Sequence, residues 1–482
     1  MGVGTTTAGV VVLAALAIGV TVGLLPIGFG ALAVAAIPLA VLVILDPRVP
    51  LVLLAFSIPY SSLTKVGGET YSITSTEVLV AILLVVWIAR RIVDRDVTIR
   101  IGPTIVMMAL LLMCAVLSTM TAEDFPNALK EVLKLGEMVG VAVYAASELH
   151  RSDDTRLAIL ALLLAGASEA VVGLVQFVAG LGPPSFAVGP FMRASGNFDQ
   201  PNALAGYLGM LLPLGVAFSF HVSRDRWASQ ERTVVVLATA LIGLGVLATL
   251  SRGSWLGSIL GLGLMGLLWG PASRRALVGA SGVAALILML TVAGVLPASL
   301  SDRVGTVFEN FGVFDVKRVE LTQTNFALVQ RMALWQAGWD MALDNPIVGI
   351  GPGNYEAVYP RYFVDANWTE PLPHAHNYYL NTFAELGIIG LAVFLGFCTA
   401  VFGRIGQGLR EPNDPRGVRR VLLLGALAAM VTFSVHNVFD NMFVHGIGVQ
   451  FALILGLVEA GFVARPRVAP TAAASQRAAA AT

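Results

Sequence analysis

The chain has 482 residues, 56% hydrophobic and 12% charged, and its formal net charge is zero. Soluble domains carry about 25% charged residues, so this composition excludes an ordinary soluble domain. The balanced charge supplies no bulk field for nucleic acid.

Long apolar runs in lipid must satisfy their own backbone hydrogen bonds, which leaves helices or a closed barrel. A barrel needs alternating segments of roughly ten residues; the runs here are continuous and about twenty residues long, the membrane-crossing length. In chain order they fall at 8–25, 29–45, 76–93, 103–120, 128–148, 156–181, 202–221, 233–250, 253–270, 276–296, 380–403, 419–438 and 444–464, with a shorter run at 49–60. The pattern predicts an all-α polytopic membrane protein with 12–14 transmembrane helices. The first run lacks a basic leader and reads as a retained helix. Cys114 and Cys398 lie inside apolar runs and suggest neither a disulfide framework nor a metal site. The Ala-rich tail after Pro466 reads as disordered.

Arginine placement orients the chain. Arg90, Arg91, Arg95 and Arg100 share one loop, Arg151 and Arg156 a second, and Arg224, Arg226 and Arg232 a third. Arg274 and Arg275, then Arg404, Arg410, Arg416, Arg419 and Arg420, then Arg465 and Arg467, follow in alternate loops. All six fall on one face, taken as cytoplasmic, with both termini. The intervening loops 61–75, 121–127, 182–201, 251–252, 297–379 and 439–443 then fall outside. The expected division is 1–296 as N-terminal transmembrane helices, 297–379 as a large helical outer loop, 380–464 as C-terminal transmembrane helices and 465–482 as the tail. Within the outer loop, 326–343 has helical periodicity and stops at "DNP", and Gly349, Gly351 and Gly353 mark a turn-rich stretch.

The unusual polar residues collect on the outer side. Arg193 lies in "FMRASGNFDQPNALAGYL", Arg252 in "TLSRGSWLG" between two very apolar runs, and Arg331 opens the helix of the loop. His374 and His376 stand where the chain re-enters the membrane, and "HNVFDNMFVH" adds His436, Asp440 and His445. Bland readings compete. Arg193 fits a snorkelling arginine, Arg331 a solvated residue, and "HNVFD" a polar packing network. Lys130, Lys134 and Glu137 fit an intrahelically paired charged edge. Arg252 fits a bland role least well, because charge at membrane depth is costly and tends to be functional. Several arginines would suit a lipid-linked pyrophosphate, whose oxygens match the guanidinium fork. Fixed cations there would stabilise a departing diphosphate, and a histidine could take the proton of an attacking sugar hydroxyl. No compact Asp-x-Asp site is evident outside, so arginines could stand in for a divalent metal.

"HNYYLNTFAELGIIG", with His376-Asn377 followed by Gly387 and Gly390, resembles the signature of the bacterial O-antigen ligase and polymerase superfamily. "RASGNFDQPNALAGYL", "LSRGSW", "RMALWQAGWDMALDNPIVGIGPGNY" and "HNVFDN" agree in order, over roughly residues 190–445. The resemblance implies a GT-C-type bundle in the bacterial plasma membrane with its active site on the periplasmic or exterior face. Such an enzyme moves a glycan from undecaprenyl pyrophosphate to an acceptor hydroxyl on a glycolipid or glycan. By motif, His376 would be the catalytic base; Arg193, Arg252 and Arg331 would bind the donor, with His374 and Asn377 as further substrate ligands. No cofactor or metal is implied. Gly387 and Gly390, one turn apart, are expected to allow close helix approach behind His376. A polymerase using the same site is the alternative, with a protein O-oligosaccharyltransferase and a transporter further off; no inverted repeat favours transport.

Overall fold

The computed structural model describes residues 49–64, 66–67, 72–95, 98–222, 229–275, 315–322, 325–411 and 417–462. The expected runs 8–25, 29–45 and 276–296, residues 297–314 of the outer loop, Arg224, Arg226, Arg416, Arg465, Arg467 and the tail lie outside these residues.

The helices in chain order are α1 Val49–Ser57, α2 Ser75–Val93, α3 Pro103–Ser118, α4 Phe125–Glu148, α5 Ser152–Ala179, α6 Pro201–Val222, α7 Ser229–Ala248, α8 Arg252–Trp269, α9 Phe326–Asp344, α10 Tyr378–Arg410, α11 Val418–His436 and α12 Ile447–Ala460. Local chemistry sets several starts. Thr74 and Glu77 form a capping box at α2, Pro103 begins α3, and the Asp124 side chain accepts from Asn127 N at α4, so otherwise unpaired first-turn donors are met. Among the described residues α3, α5, α6, α7, α10 and α11 are long and apolar enough to cross a membrane, and α12 is apolar but shorter. The chain is an all-α polytopic membrane protein. Among the described residues the 49–60 run forms α1, Val49–Ser57.

Helix α11 packs between α8 and α6, and α12 against α4. The α8–α11 approach uses absent side chains. A Cβ on Gly257 would lie 2.5 Å from the Thr432 carbonyl oxygen, and one on Gly261 would lie 2.4 Å from that of Ala428.

Two opposed faces emerge from the hydrogen bonds. On one, Arg91 pairs with Glu148 (2.5 Å), Arg404 with Glu459 (2.8 Å) and Arg419 with Glu411 (2.6 Å). These are the arginine-rich loops. On the other, the segments expected outside bind each other. Ser62 Oγ donates to Asn197 O, Ser61 Oγ to His445 O (3.3 Å), and Asp124 N to Asn354 Oδ1 (2.7 Å). This second face is called outer below.

The outer cap has its own small core, in which Leu334, Ala337 and Met341 of α9 meet Tyr355, Tyr359, Ala375 and Ala384. It is fastened to α10 through a break that the sequence reading did not anticipate. Gly387 has φ +66 and ψ −169 inside α10, a region essentially restricted to glycine. The broken turn offers backbone groups to the cap. Ile350 N donates to Ala384 O and Gly351 N to Glu385 O (both 3.0 Å), while Ile388 N donates to Pro346 O (2.8 Å). A Cβ on Gly387 would lie 2.3 Å from the Ile347 carbonyl oxygen. The expectation of close helix approach is therefore corrected. Gly387 unwinds the helix so that the cap's "NPIVGIG" strand of backbone can dock on it, and a Cβ on Gly390 would meet only Leu386 of its own helix.

Candidate active site

The α5–α6 connection delivers Arg193. Its short hairpin pairs Ala187–Val188 with Phe191–Met192, and the following turn is pinned from α5. Gln176 Oε1 accepts from Gly196 N (2.7 Å), and Glu169 Oε2 accepts from Asn197 Nδ2 (2.8 Å). Arg193 is thereby aimed at two acceptors: Nε donates to Thr249 O (2.8 Å) and Nη2 to Asn202 Oδ1 (2.7 Å). Asn202 lies in the first turn of α6.

The α7–α8 turn places Arg252. Leu250 holds a left-handed φ of +51, Ser251 precedes the helix, and Arg252 is its first residue. His436, 2% exposed at the end of α11, sits with Nε2 3.3 Å from Ser251 Oγ, tying the two helices at this turn. Arg331 enters from the second turn of α9. Arg252 is exposed, Arg331 is partly buried, and neither has a hydrogen bond or ion pair among the described residues.

Asn377 starts α10; its side-chain oxygen accepts from Tyr379 N (3.1 Å) and Leu380 N (3.2 Å). Just before it, His376 sits at φ +51. An L-residue reaches that region at a cost, so the surroundings must hold it there. They do: His376 N donates to His374 Nδ1 (3.2 Å), and Trp335 Nε1 of α9 donates to His376 O (3.3 Å). The ring then meets Asp440 from the α11–α12 connection, Nδ1 to Oδ1 at 2.7 Å. Asp440 also accepts from Asn202 Nδ2 at Oδ2 (2.6 Å) and from Asn441 N at Oδ1 (2.9 Å). The His376 side chain remains 26% exposed while that of Asp440 is 7% exposed.

The electrostatics follow. Burial would push the Asp440 carboxyl up, but the His376 hydrogen bond, and then the electrostatic influence of His376, His374 and Arg331, hold it well below the usual carboxylate range. As an ionised acceptor it requires His376 Nδ1 to carry the proton, leaving Nε2 as the basic nitrogen. Burial and then His376 push the His374 ring down to about 4; it is neutral at neutral pH and accepts through Nδ1. Burial, then Arg331, push Arg193 down to about 10 against the pull of Asp440. Burial also lowers Arg331, with Asp440 opposing and Arg252 adding to the effect. Arg193 and Arg331 thus share one carboxylate, with the Arg252 charge close enough to act on both, and the surplus positive charge suits a dianionic ligand. His374, His376 and Asp440 also place possible metal-ligand atoms within 4.8 Å of one another; both Asp440 oxygens already accept hydrogen bonds.

Arg193, Arg252, Arg331, His374 and His376 meet around Asp440, joined by hydrogen bonds or by electrostatic influence. Asn377 is adjacent, with its oxygen committed to capping α10. Sequence reasoning took Asp440 as part of a packing network and did not single out Asn202 or Thr249. Nothing local to those residues marks them; Asn202 and Asp440 lie inside the ordered motif blocks, and Thr249 immediately precedes one.

The fold and site define a class: a polytopic helical membrane protein with a cluster of arginines on its outer face beside a carboxylate-oriented histidine. Residues 236–395, from α7 into α10, match the family described as O-antigen ligase. It is 30% identical over 190 residues to the exopolysaccharide production protein ExoQ of Rhizobium meliloti (strain 1021), covering 35% of this chain and 42% of that protein. It is 26% identical over 249 residues to the O-antigen ligase of Salmonella typhimurium (strain LT2), covering 50% of this chain and 58% of that protein. The chain spans about half the length of these relatives. The motif-based resemblance to the O-antigen ligase superfamily is borne out; Arg193 and Asp440 lie beyond the matched family segment.

Proposed function

We propose that the protein is a membrane glycosyltransferase that moves a glycan from undecaprenyl pyrophosphate to an acceptor hydroxyl, in the manner of an O-antigen ligase. The observation that carries the reading is the 2.7 Å contact of His376 with Asp440 beside two arginines, Arg252 and Arg331, that have no ion-pair partner among the described residues. Asp440 orients the imidazole. His376 Nε2 takes the proton of the acceptor hydroxyl as its oxygen bonds to the anomeric carbon. The bond from that carbon to the diphosphate oxygen breaks, and undecaprenyl diphosphate leaves with the electron pair. Arg252 and Arg331, with Arg193 fixed behind them, stabilise the charge that grows on the diphosphate. Attack opposite the leaving group inverts the anomeric centre.

In this reading arginines serve in place of a metal, the outer face is the periplasmic or exterior face of the bacterial plasma membrane, and 297–379 is a cap over the pocket between the N-terminal (1–296) and C-terminal (380–464) helices. The acceptor is a glycolipid or glycan. The naming of one relative for exopolysaccharide production favours a second reading, a polymerase whose acceptor is another lipid-linked repeat.

The test uses purified protein with undecaprenyl-pyrophosphate glycan and each acceptor class. Transfer is expected, lost in a folded His376→Ala variant and unchanged by EDTA. Transfer that survives His376→Ala would contradict the assigned base; loss in EDTA restored by magnesium or manganese would contradict the arginine-only site.

A further inference from the structure

A cavity of about 310 Å³ opens on the outer face beside this site and shares none of its arginines or its His376–Asp440 pair. Its floor is one face of α4: Lys130, Lys134 and Glu137 at i, i+4 and i+7, the spacing that stacks side chains on one side of a helix. Glu77 of α2 faces them. Four charged side chains therefore meet across α2 and α4.

The remaining wall connects the cavity to the chemistry. Asp199 and His445 line it and approach each other, with Oδ2 and Nε2 3.6 Å apart. Three residues after Asp199 stands Asn202, and five residues before His445 stands Asp440; that pair is hydrogen-bonded at 2.6 Å. The same two segments, 199–202 and 440–445, thus carry His376's carboxylate at one end and the cavity wall at the other. His445 holds a left-handed φ of +49, so this wall is also conformationally constrained.

The chemistry of the lining selects a ligand. Three acidic side chains (Glu77, Glu137, Asp199) and two lysines line the cavity, with Lys134 also paired to Glu131 (2.5 Å), a mixture that disfavours a phosphate. A sugar ring presents hydroxyls that both donate and accept, and carboxylates and ammonium groups together serve both needs. Phe443, Met138 and Val449 add apolar surface for the C–H face of a ring, and the volume lies at the small end of ligand pockets. We propose that this cavity is a carbohydrate subsite that seats an uncharged sugar ring of the glycan next to the bond being formed. The proposal rests on the glycosyltransferase reading above and specifies where part of its substrate lies.

The full-length protein in detergent is examined by saturation-transfer NMR with methyl β-glucoside and N-acetylglucosamine as neutral probes and glucuronate as an anionic one. A neutral ring is expected to bind in preference to glucuronate. Binding should weaken at least about tenfold in Glu137→Gln/Lys130→Met, as for lost hydrogen bonds to charged groups, and stay unchanged in Arg404→Ala on the opposite face. If the double variant fails to fold, Val444→Trp, which fills the cavity from its rim, must give the same loss. No binding of either neutral sugar, a preference for glucuronate, or undiminished binding in the cavity variants overturns the proposal. Because binding is read without turnover, a failure to observe transfer would count against the proposed function alone. Where transfer is measured, a raised KM for the acceptor marks an acceptor ring and a raised KM for the donor a donor ring; no change in either overturns the subsite.

Discussion

The arginines paired on the arginine-rich face and the three gathered at the outer site are used in opposite ways; another outer arginine, Arg361, is paired with Glu123. On the arginine-rich face, Glu148 Oε1 accepts from Arg91 Nη2 and from Trp87 Nε1. Arg404 pairs with Glu459 while its guanidinium lies 3.5 Å over the Phe462 ring, and Thr104 Oγ1 donates to the same carboxylate (2.7 Å). Each of these arginines has an acidic partner built for it. On the outer face three arginines crowd one aspartate, and that aspartate is already engaged by a histidine and an asparagine. Arginine paired within the fold holds helices together; in the proposed function, arginine left in like-charge company serves a ligand carrying the missing negative charge.

The largest expected effect comes from breaking the outer carboxylate. Asp440→Asn removes the acceptor that fixes the His376 tautomer, and turnover should fall by about 10²–10⁴-fold. Glu148→Gln on the opposite face should leave turnover within about twofold while lowering thermal stability. Equal losses of turnover in the two variants would erase the distinction between the faces.

A smaller effect tests how the cap is held over the outer site. Gly387→Ala forces a side chain into a glycine-only conformation and against the Ile347 carbonyl. Strain alone should destabilise by about 1–3 kcal/mol, seen as a lower unfolding temperature and easier proteolysis of the cap. An unchanged melting curve would mean that the break in α10 does not fasten the cap.

The smallest effect concerns acid. His374 titrates near 6.5 when unperturbed and near 4 in the fold, so between those values the unfolded chain binds the extra proton. Its contribution is complete above about pH 6.5 and is lost progressively as pH falls toward 4. His374→Gln should flatten the pH dependence of unfolding in that window; below it, loss from Asp440 remains. A variant with the parent's full slope between pH 6.5 and 4 would show that His374 is not held neutral.

Much of this was legible in the sequence because lipid simplifies the problem. Apolar run length located the described helices from α2 to α8 and from α10 to α12 to within a few residues at most ends, helical periodicity located α9, and arginine alternation sorted the loops onto two faces. The convergence of Arg193, Arg252, Arg331 and His376 on one face followed from that sorting. What stayed hidden depends on contacts made across the chain. Asp440 reads locally like any buried polar residue, and its partnership with His376 exists only once α10 and the α11–α12 connection meet. Gly387 looks like a small residue for helix packing, because a helix break docked by a distant backbone leaves no periodic trace.

The central claim is tested most directly by the affinity of undecaprenyl pyrophosphate for the purified protein, measured for Arg252→Ala, Arg331→Ala, Arg252→Lys and, on the opposite face, Arg404→Ala. Each outer alanine variant should bind at least about tenfold more weakly, Arg252→Lys should recover little because a point charge does not reproduce the fork, and Arg404→Ala should bind like the parent. Undiminished binding in the outer variants, or a loss confined to Arg404→Ala, would contradict the account.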